Sequence, residues 1–462
     1  MQIYKFLFSL IFISLSSQVF ADYTLPKYEK FILDNGLTIY LMEQHEVPLI
    51  DVNIVIKAGA VDDNKLRGLA YLTAQNLVLG TKQYTKAQLN EAVAFIGAEL
   101  STYADLESSL ISSSFAKKDL QNMLTLLQEV ILSPRFEQQE FNKYKTQHLL
   151  RLEQAKESPK SVINNYFNRL IFGENGYGSI ISGSQKSVQK IKLSNIKHFY
   201  NDWYQPQNAA IVVVGDFKSK TMLKQLKKRF STWQNTQPVN HNTIKIPQSL
   251  TAPNVLLVNK DDAIESTFMI GGLGIAKNNP DRVGISVINT ILGGRFTSWL
   301  NDALRVNSGL TYGARSHFAS YSKGGTFAIS TFTKTSTTIE AIDLALDTYA
   351  RLWQQGIDEQ TLASAKAYVK GKFPPKFETS EDLSALLAQM YAYNFDESYI
   401  NTFEQQVNSL TLAKTKQLIN RYFPKENLQM VIIGKAAEIK DKVKKYGKLK
   451  QVNIKAAGFN LP

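Results

Sequence analysis

Hydrophobic and polar positions follow two patterns along the first half of this chain. Short apolar or alternating runs predict strands near 29–42, 50–59, 98–115 and 209–216. Longer stretches with an apolar residue every three or four positions predict helices near 66–79, 85–96, 117–132, 137–171, 193–203 and 218–232. Strands and helices are grouped rather than strictly alternating. The pattern therefore favours an α+β fold of helices layered on a mostly antiparallel sheet.

The second half of the chain repeats this order. The segment IKHFYNDWYQPQNAAIVVVG (196–215) matches TKQLINRYFPKENLQMVIIG (415–434). Each predicts an amphipathic helix, a turn with proline, and a short buried strand that ends in glycine. A weaker match pairs VIKAG (55–59) with FMIGG (268–272). Such self-similarity indicates an internal duplication.

We therefore predict two homologous domains of antiparallel sheet plus helices. The first covers residues 22–234 and the second covers residues 255–462. A polar stretch with prolines, 235–254, joins them.

Residues 1–21 have the character of a secretory signal peptide. A lysine, an apolar run and a small residue at Ala21 are typical of such a segment. A membrane anchor is the alternative, but the apolar run is short and has no stop-transfer flank. No later segment approaches the ~20 apolar residues that span a bilayer. We expect cleavage after Ala21, a periplasmic chain, and no membrane span after cleavage.

Composition narrows the chemistry. The chain has no cysteine, which excludes disulfides, thiol catalysis and thiolate zinc sites. The net charge is +13, and much of it lies in two lysine-rich segments, 217–230 and 439–455. Both segments read as amphipathic helices whose lysines face solvent, so we expect no nucleic-acid binding. Attraction to an acidic partner subunit is a further interpretation.

Five segments together resemble one family. They are GLAYLTAQNLVLGT (68–81), PRFEQQEFNKYKTQHLLRLEQ (134–154), NGYGSIISGS (175–184), LGGRFTSWLNDALR (292–305) and SGLTYGARS (308–316). Their order is similar to that in the pitrilysin/insulysin-like metallopeptidases (clan ME). The resemblance is to the two-domain bacterial branch related to the mitochondrial processing peptidase. It implies that the chain is one clamshell-like half of a processing-peptidase-like assembly.

Active members of that family carry an inverted zinc motif, H-x-x-E-H, and a distal glutamate ligand. Here the motif falls on YLTAQ. The first histidine position is Tyr71, the glutamate position is Ala74 and the second histidine position is Gln75. The resemblance places the distal glutamate at Leu150. It therefore implies that this chain binds no zinc of its own.

A rebuilt metal site is the remaining alternative for this region. The chain has five histidines, and none is three to five residues from another, so no helical pair is available. His148 lies beside Leu150, and Glu153 follows one helical turn later. We also find no nucleophile elbow, phosphate-binding loop or dinucleotide fingerprint.

The second half retains an Arg/Tyr pair that the family uses. In LRVNSGLTYGARS the pair falls on Arg305 and Tyr312. The resemblance implies that the tyrosine hydroxyl donates to the developing oxyanion and that the arginine binds a substrate carbonyl or carboxylate. The alternative is that both side chains serve packing. The hairpin predicted over 97–115 corresponds to the family's cleft edge, where a peptide adds as a strand, or else is an ordinary exposed hairpin.

The resemblance implies a division of labour between two subunits. We expect this chain to pair with a zinc-bearing homologous subunit and to hydrolyse peptides with it, contributing Arg305 and Tyr312. The zinc is expected in the partner. The alternative is a non-catalytic peptide-binding or scaffold protein of the cell envelope.

Overall fold

A computed structural model of the chain describes residues 23–461 except 175, 236 and 242. The predicted signal peptide, 1–21, lies outside the described residues. The strands are β1 Glu29–Ile32, β2 Thr38–Glu43, β3 Leu49–Ile56, β4 Glu99–Ala104, β5 Ser109–Ala116, β6 Ala209–Gly215, β7 Asn254–Asn259, β8 Glu265–Gly274, β9 Arg315–Ser320, β10 Gly325–Lys334, β11 Gln429–Gly434 and β12 Lys448–Asn453.

The helices alternate with these strands in groups. They are α1 Leu69–Leu77, α2 Lys86–Phe95, α3 Leu120–Leu132, α4 Gln138–Gln154, α5 Pro159–Phe172, α6 Gln185–Val188, α7 Leu193–Trp203, α8 Ser219–Phe230, α9 Arg282–Asn289, α10 Trp299–Asn301, α11 Thr338–Gln354, α12 Glu359–Gly371, α13 Ser380–Tyr393, α14 Ser398–Asn401, α15 Phe403–Asn408, α16 Leu412–Tyr422 and α17 Ala436–Val443. Within the described residues, no helix has both the length and the apolar character needed to cross a bilayer.

The two sheets share one topology over five strands and differ at one edge, where β1 pairs antiparallel with β2 but β12 pairs parallel with β7. Their strand orders are β1-β2-β6-β3-β5-β4 and β12-β7-β11-β8-β10-β9. In each sheet one inner pair, β2 with β6 or β7 with β11, is parallel. The three pairings that follow toward the far edge, β6-β3-β5-β4 and β11-β8-β10-β9, are antiparallel. The α+β class and the duplication are confirmed, while the exact domain boundaries stay a prediction.

The predicted single helix over 137–171 is wrong. The chain instead forms α4 and α5, separated by a break at Ser158 and Pro159. Proline disfavours the helical conformation of the residue before it, and Ser158 is extended at φ −105° and ψ 104°. Pro159 then opens α5 at the position where a missing N–H costs nothing. The break lets α5 leave the first domain's helices.

The two halves exchange helices across their sheets. Helix α5, from the first half, packs in one buried cluster with strands β7, β8, β10 and β11 of the second sheet. Helix α13, from the second half, packs on β3 and β6 of the first sheet, where Asn53 Nδ2 donates to Ser384 Oγ at 2.7 Å. Strand β6 is therefore apolar on both faces. Ile211 and Val213 point to the helices of the first half, and alternate residues point to α13.

Two hairpin turns, one from each sheet, meet at Glu107. This contact is here called the hairpin clamp. The carboxylate of Glu107 accepts hydrogen bonds from the Tyr177 hydroxyl at 2.9 Å and from the Ser322 backbone N–H at 2.9 Å. It also accepts one from the Ser322 hydroxyl. Tyr177 is fully buried beside the turn. The clamp joins the β4–β5 turn of the first sheet to the β9–β10 turn of the second.

Candidate functional site

Helix α1, which carries the degenerate motif, has a well-built frame. It starts after Gly68, whose φ of +94° is a left-handed conformation that favours glycine. The buried carboxyl of Asp63 accepts from the Gly68 N–H at 2.6 Å and from the Ala70 N–H at 2.7 Å. Burial raises the pKa of Asp63 to about 8. A Cβ on Gly68 would come 2.9 Å from Gly183 Cα, so the start of the helix leaves no room for a side chain at position 68.

Hydrogen bonds fill the place of the lost zinc ligands. The hydroxyls of Tyr71 and Tyr144 lie 3.2 Å apart, and Tyr144 donates to Gln75 Oε1 at 3.0 Å. Gln75 Nε2 donates in turn to the backbone carbonyl of Thr102. Ala74 is fully buried in the core. The three degenerate positions therefore serve packing and hydrogen bonding in this chain.

Helix α4 presents His148, not Leu150, to these residues. The His148 ring stacks on the Tyr71 ring with centroids 4.8 Å apart. Tyr144 and His148 are one turn apart and share a face of α4. Leu150 lies elsewhere on the helix and is 61% exposed. The structure thus does not bring Leu150 to Tyr71 and Gln75, and sequence alignment alone could not choose the helix face.

His148 is held as a neutral imidazole. Its Nε2 lies 2.8 Å from the carbonyl oxygen of Ser182, which can only accept, so Nε2 carries the proton. Its Nδ1 is buried and has no hydrogen-bond partner within the described part of the chain. Burial lowers the pKa of His148. The helix α1 region therefore offers one imidazole, two phenols and an amide, which does not fit the ligand set of a protein zinc site.

Among the described residues, no group of three or more His, Cys, Asp or Glu side chains is arranged to hold a metal ion.

Edge strand β4 is closed at one position by the degenerate motif. The Asp105 N–H donates to the Ser108 carbonyl oxygen. Hydrogen-bonded pairs alternate along an antiparallel ladder, so the backbone N–H and C=O groups of residues 105, 103 and 101 point toward β5. Thr102 therefore points its N–H and C=O away from β5, toward the open edge. The side-chain amide of Gln75 donates a hydrogen bond to that carbonyl oxygen. A peptide that added to this edge would have to displace Gln75.

The predicted Arg/Tyr pair is brought together in the second half. Helix α10 runs into a wider turn over Asp302–Asn307 that carries Arg305. The Arg305 guanidinium lies 4.8 Å from the centre of the Tyr312 ring and 4.7 Å from that of Phe296. Tyr312 is 76% exposed and Phe296 is 64% exposed. Both rings are therefore largely accessible to solvent, and the role of the pair stays a prediction.

Buried Asn301 fixes the loops on either side of the pair. Its Nδ2 donates to the Phe296 carbonyl at 2.6 Å, and its Oδ1 accepts from the Ala314 N–H at 3.3 Å. Sequence reasoning missed Asn301 and Phe296. A polar residue next to the apolar positions of a short helix was the sequence signal from which a structural role for Asn301 could have been predicted.

The pair borders a cavity of about 930 Å³. Its walls come from β8, β9, β10 and the loops around α10, together with Lys160, Ile163 and Asn164 of α5. The described lining includes none of Tyr71, Ala74 or Gln75. Within one chain, the Arg/Tyr pair and the degenerate motif thus border different spaces.

Two family models match the chain. Residues 39–185 match "Insulinase (Peptidase family M16)", and residues 190–369 match "Peptidase M16 inactive domain". The chain is similar to the non-peptidase homolog YmxG of Helicobacter pylori, with 25% identity over 403 residues, 85% of this chain and 90% of that protein. It is also similar to the zinc protease PqqE of the same organism, with 24% identity over 423 residues, 90% of this chain and 94% of that protein.

Solved structures show the same fold. A peptidase M16 inactive domain from Pseudomonas fluorescens matches with a TM-score of 0.82 at 24% identity, covering 88% of this chain and 98% of the other. A protease from Helicobacter pylori matches with a TM-score of 0.81 at 22% identity, covering 89% and 100%. At these identities the likeness establishes the fold alone.

Proposed function

This chain belongs to peptidase family M16, and from that premise we propose that it is the zinc-free subunit of a two-subunit zinc peptidase. It would supply Arg305 and Tyr312 to an active site whose zinc is held by a homologous partner. The observation that carries this proposal is the asymmetry between the halves. The zinc-motif helix is filled by its own hydrogen bonds, whereas Arg305 and exposed Tyr312 border an open cavity.

The comparisons support pairing. The chain is similar over nearly its whole length both to a protein named a non-peptidase homolog and to one named a zinc protease, and both come from one organism. The proposed pairing needs one chain of each type, and this organism has a protein named for each. The apolar run at 1–21 supports export of this chain, and a partner in the same compartment would carry a signal peptide as well.

The resemblance to the family supplies the proposed chemistry of the pair. A zinc ion in the partner would polarise the scissile carbonyl and activate water. In this chain, the Tyr312 hydroxyl would donate a hydrogen bond to the oxyanion that develops there. The Arg305 guanidinium, flanked by the rings of Tyr312 and Phe296, would bind a carbonyl or carboxylate of the substrate. Asn301 acts as a positioning residue because it ties both flanking loops.

Reconstitution tests the proposal. The chain from residue 22 onward is mixed with an exported homologue that carries H-x-x-E-H, and hydrolysis of a quenched fluorescent peptide is followed. We expect the isolated chain to bind no stoichiometric zinc and to cleave no peptide. The mixture should cleave the peptide. Tyr312→Phe should lower kcat about 10²–10³-fold, the usual loss for one oxyanion donor. Tyr368→Phe, another tyrosine of the same cavity wall, is the matched control and should keep its rate.

Three outcomes would count against the proposal. One tightly bound zinc per isolated chain would refute the assignment of zinc to a partner. Unchanged turnover in both Tyr312→Phe and Arg305→Ala would remove the site assignment but not the family. A stable homodimer that binds peptides, with no effect on any zinc-bearing homologue, would favour the non-catalytic scaffold.

A further inference from the structure

The cavity beside Arg305 is lined by charges of one sign. Its lining residues include Arg305 itself, Lys160 of α5, Arg295 after α9, and Arg315 of β9. Among the described residues that line it there is no aspartate or glutamate. Four fixed positive charges around one concave space focus a positive potential into it.

Aromatic rings, rather than carboxylates, hold three of these cations in place. Lys160 Nζ lies 3.4 Å from the centre of the Phe332 ring. Arg295 lies 5.9 Å from the Tyr368 ring, as Arg305 lies against Tyr312. A ring face attracts a cation without cancelling its charge.

These cations also have no ion-pair partner among the described residues. In the described part of the chain, none of Lys160, Arg295, Arg305 and Arg315 has a carboxylate oxygen within 4.0 Å. Arg295 Nη1 donates to Ser364 Oγ at 3.0 Å, and its buried Nε has no hydrogen-bond partner among those residues. Elsewhere on the surface lysines do pair, as Lys117 does with Asp216 at 2.8 Å. The cavity therefore keeps its positive charge for a ligand.

The fold builds this arrangement from distant parts of the chain. Lys160 reaches the cavity because α5 crosses onto the second sheet, and Arg315 comes from the edge strand of that sheet. Phe332 lies on β10, which pairs with both β8 and β9. Solvated surface charge does not require such convergence.

We propose that this cavity selects peptides that carry carboxylates, as acidic side chains or as a free C-terminal carboxylate. The inference rests on the proposed function, since it names the substrate class of the same site. A guanidinium offers paired donors to a carboxylate, and charge-assisted bonds of this kind are about twice as strong as neutral ones. The flanking rings supply apolar surface for the peptide's remaining atoms. A nucleic acid is the competing polyanion, and the test includes it.

Binding to the isolated chain tests this directly and needs no partner. Fluorescence anisotropy is measured with three labelled peptides of equal length. One is rich in Asp and Glu with an amidated C-terminus, one is neutral with a free C-terminus, and one is neutral and amidated. We expect at least one carboxylate-bearing peptide to bind at least tenfold more tightly than the neutral amide. Whichever binds identifies the source of the carboxylate. Affinity should fall as salt is raised, because exposed charges are screened over ~10 Å at 0.1 M.

A charge-matched pair of variants locates the site. Lys160→Gln with Arg315→Gln should weaken, about tenfold, the binding of whichever carboxylate-bearing peptide the parent chain prefers. Lys220→Gln with Lys224→Gln removes the same charge from the exposed face of α8 and should change affinity less than twofold. Equal losses in both variants would overturn the proposal, as would equal binding of all three peptides. Tighter binding of a single-stranded oligonucleotide, lost in the cavity variant, would also overturn it.

The two proposals fail in different ways. If the reconstituted pair shows no activity but the isolated chain still prefers carboxylate peptides, the proposed catalytic pairing is wrong and the selectivity stands. If the pair cleaves acidic and neutral peptides at the same kcat/KM, the selectivity is wrong and the pairing stands.

Discussion

The double variant Tyr71→His with Gln75→His places two imidazoles on helix α1, at the two histidine positions of the family's zinc motif. His148 already stacks on Tyr71 at 4.8 Å, and its Nδ1 is buried without a hydrogen-bond partner among the described residues. Its Nε2–H bonds to the Ser182 carbonyl, which is how the outer nitrogen of a zinc-ligating histidine is usually held. We predict that the double variant binds zinc through three imidazoles, leaving one position for water.

The size of the effect follows from the contacts. The substitutions remove the Tyr71–Tyr144 contact and both hydrogen bonds of Gln75, each worth about 1 kcal/mol. The metal-free variant should therefore be about 2–3 kcal/mol less stable than the parent. Zinc at a hundred times its Kd should then return about 2.7 kcal/mol. Unlike the parent, the variant should thus unfold at a denaturant midpoint that depends on zinc.

Metal content after dialysis and urea unfolding with and without zinc measure this. The matched control is the triple variant that also carries His148→Gln, which should lose both the metal and the zinc-dependent midpoint. A double variant that retains no zinc would refute the reasoning. Equal zinc binding by the triple variant would refute the role of His148.

Three further predictions concern stability. Glu107→Ala removes three hydrogen bonds of the hairpin clamp and should lower the free energy of unfolding in urea by about 2–4 kcal/mol. The control Glu99→Ala replaces an exposed glutamate of β4 and should lower it by less than about 0.5 kcal/mol. Equal losses in the two variants would contradict a stabilising role of the clamp. Asp63→Ala leaves two buried N–H groups at the start of α1 unpaired and should cost about 2–4 kcal/mol by the same assay, and a cost near zero would contradict that capping role. Burial lowers the pKa of His148 from the value of about 6.5 that histidine has in an unfolded chain. As the pH falls below that value the unfolded chain binds more protons than the folded chain, so stability that is present above it is lost. We expect His148→Gln to flatten this decline in the free energy of unfolding, and parallel pH profiles would contradict the reasoning.

Local pattern was enough to predict most of the elements and the duplication, whereas the Arg/Tyr pair came from the family resemblance. Burial on one face or on both shows directly in the spacing of apolar residues, and similar segments such as 196–215 and 415–434 fold alike. The break at Pro159 was readable from the sequence too, since proline restricts the residue before it. Treating 137–171 as one helix overlooked that signal.

Tertiary structure alone decided which surfaces meet. An apolar helix face says that α5 is covered, but not that the second sheet covers it, so Lys160 had no visible link to Arg305. An aligned position says nothing about helix face, so Leu150 was chosen where His148 makes the contact. Gln75 at a lost ligand position also gave no hint of its bond to Thr102. The sequence determined the elements and the residues available for chemistry, because these depend on neighbours along the chain. Their contacts depend on how distant segments pack, which only the tertiary structure establishes.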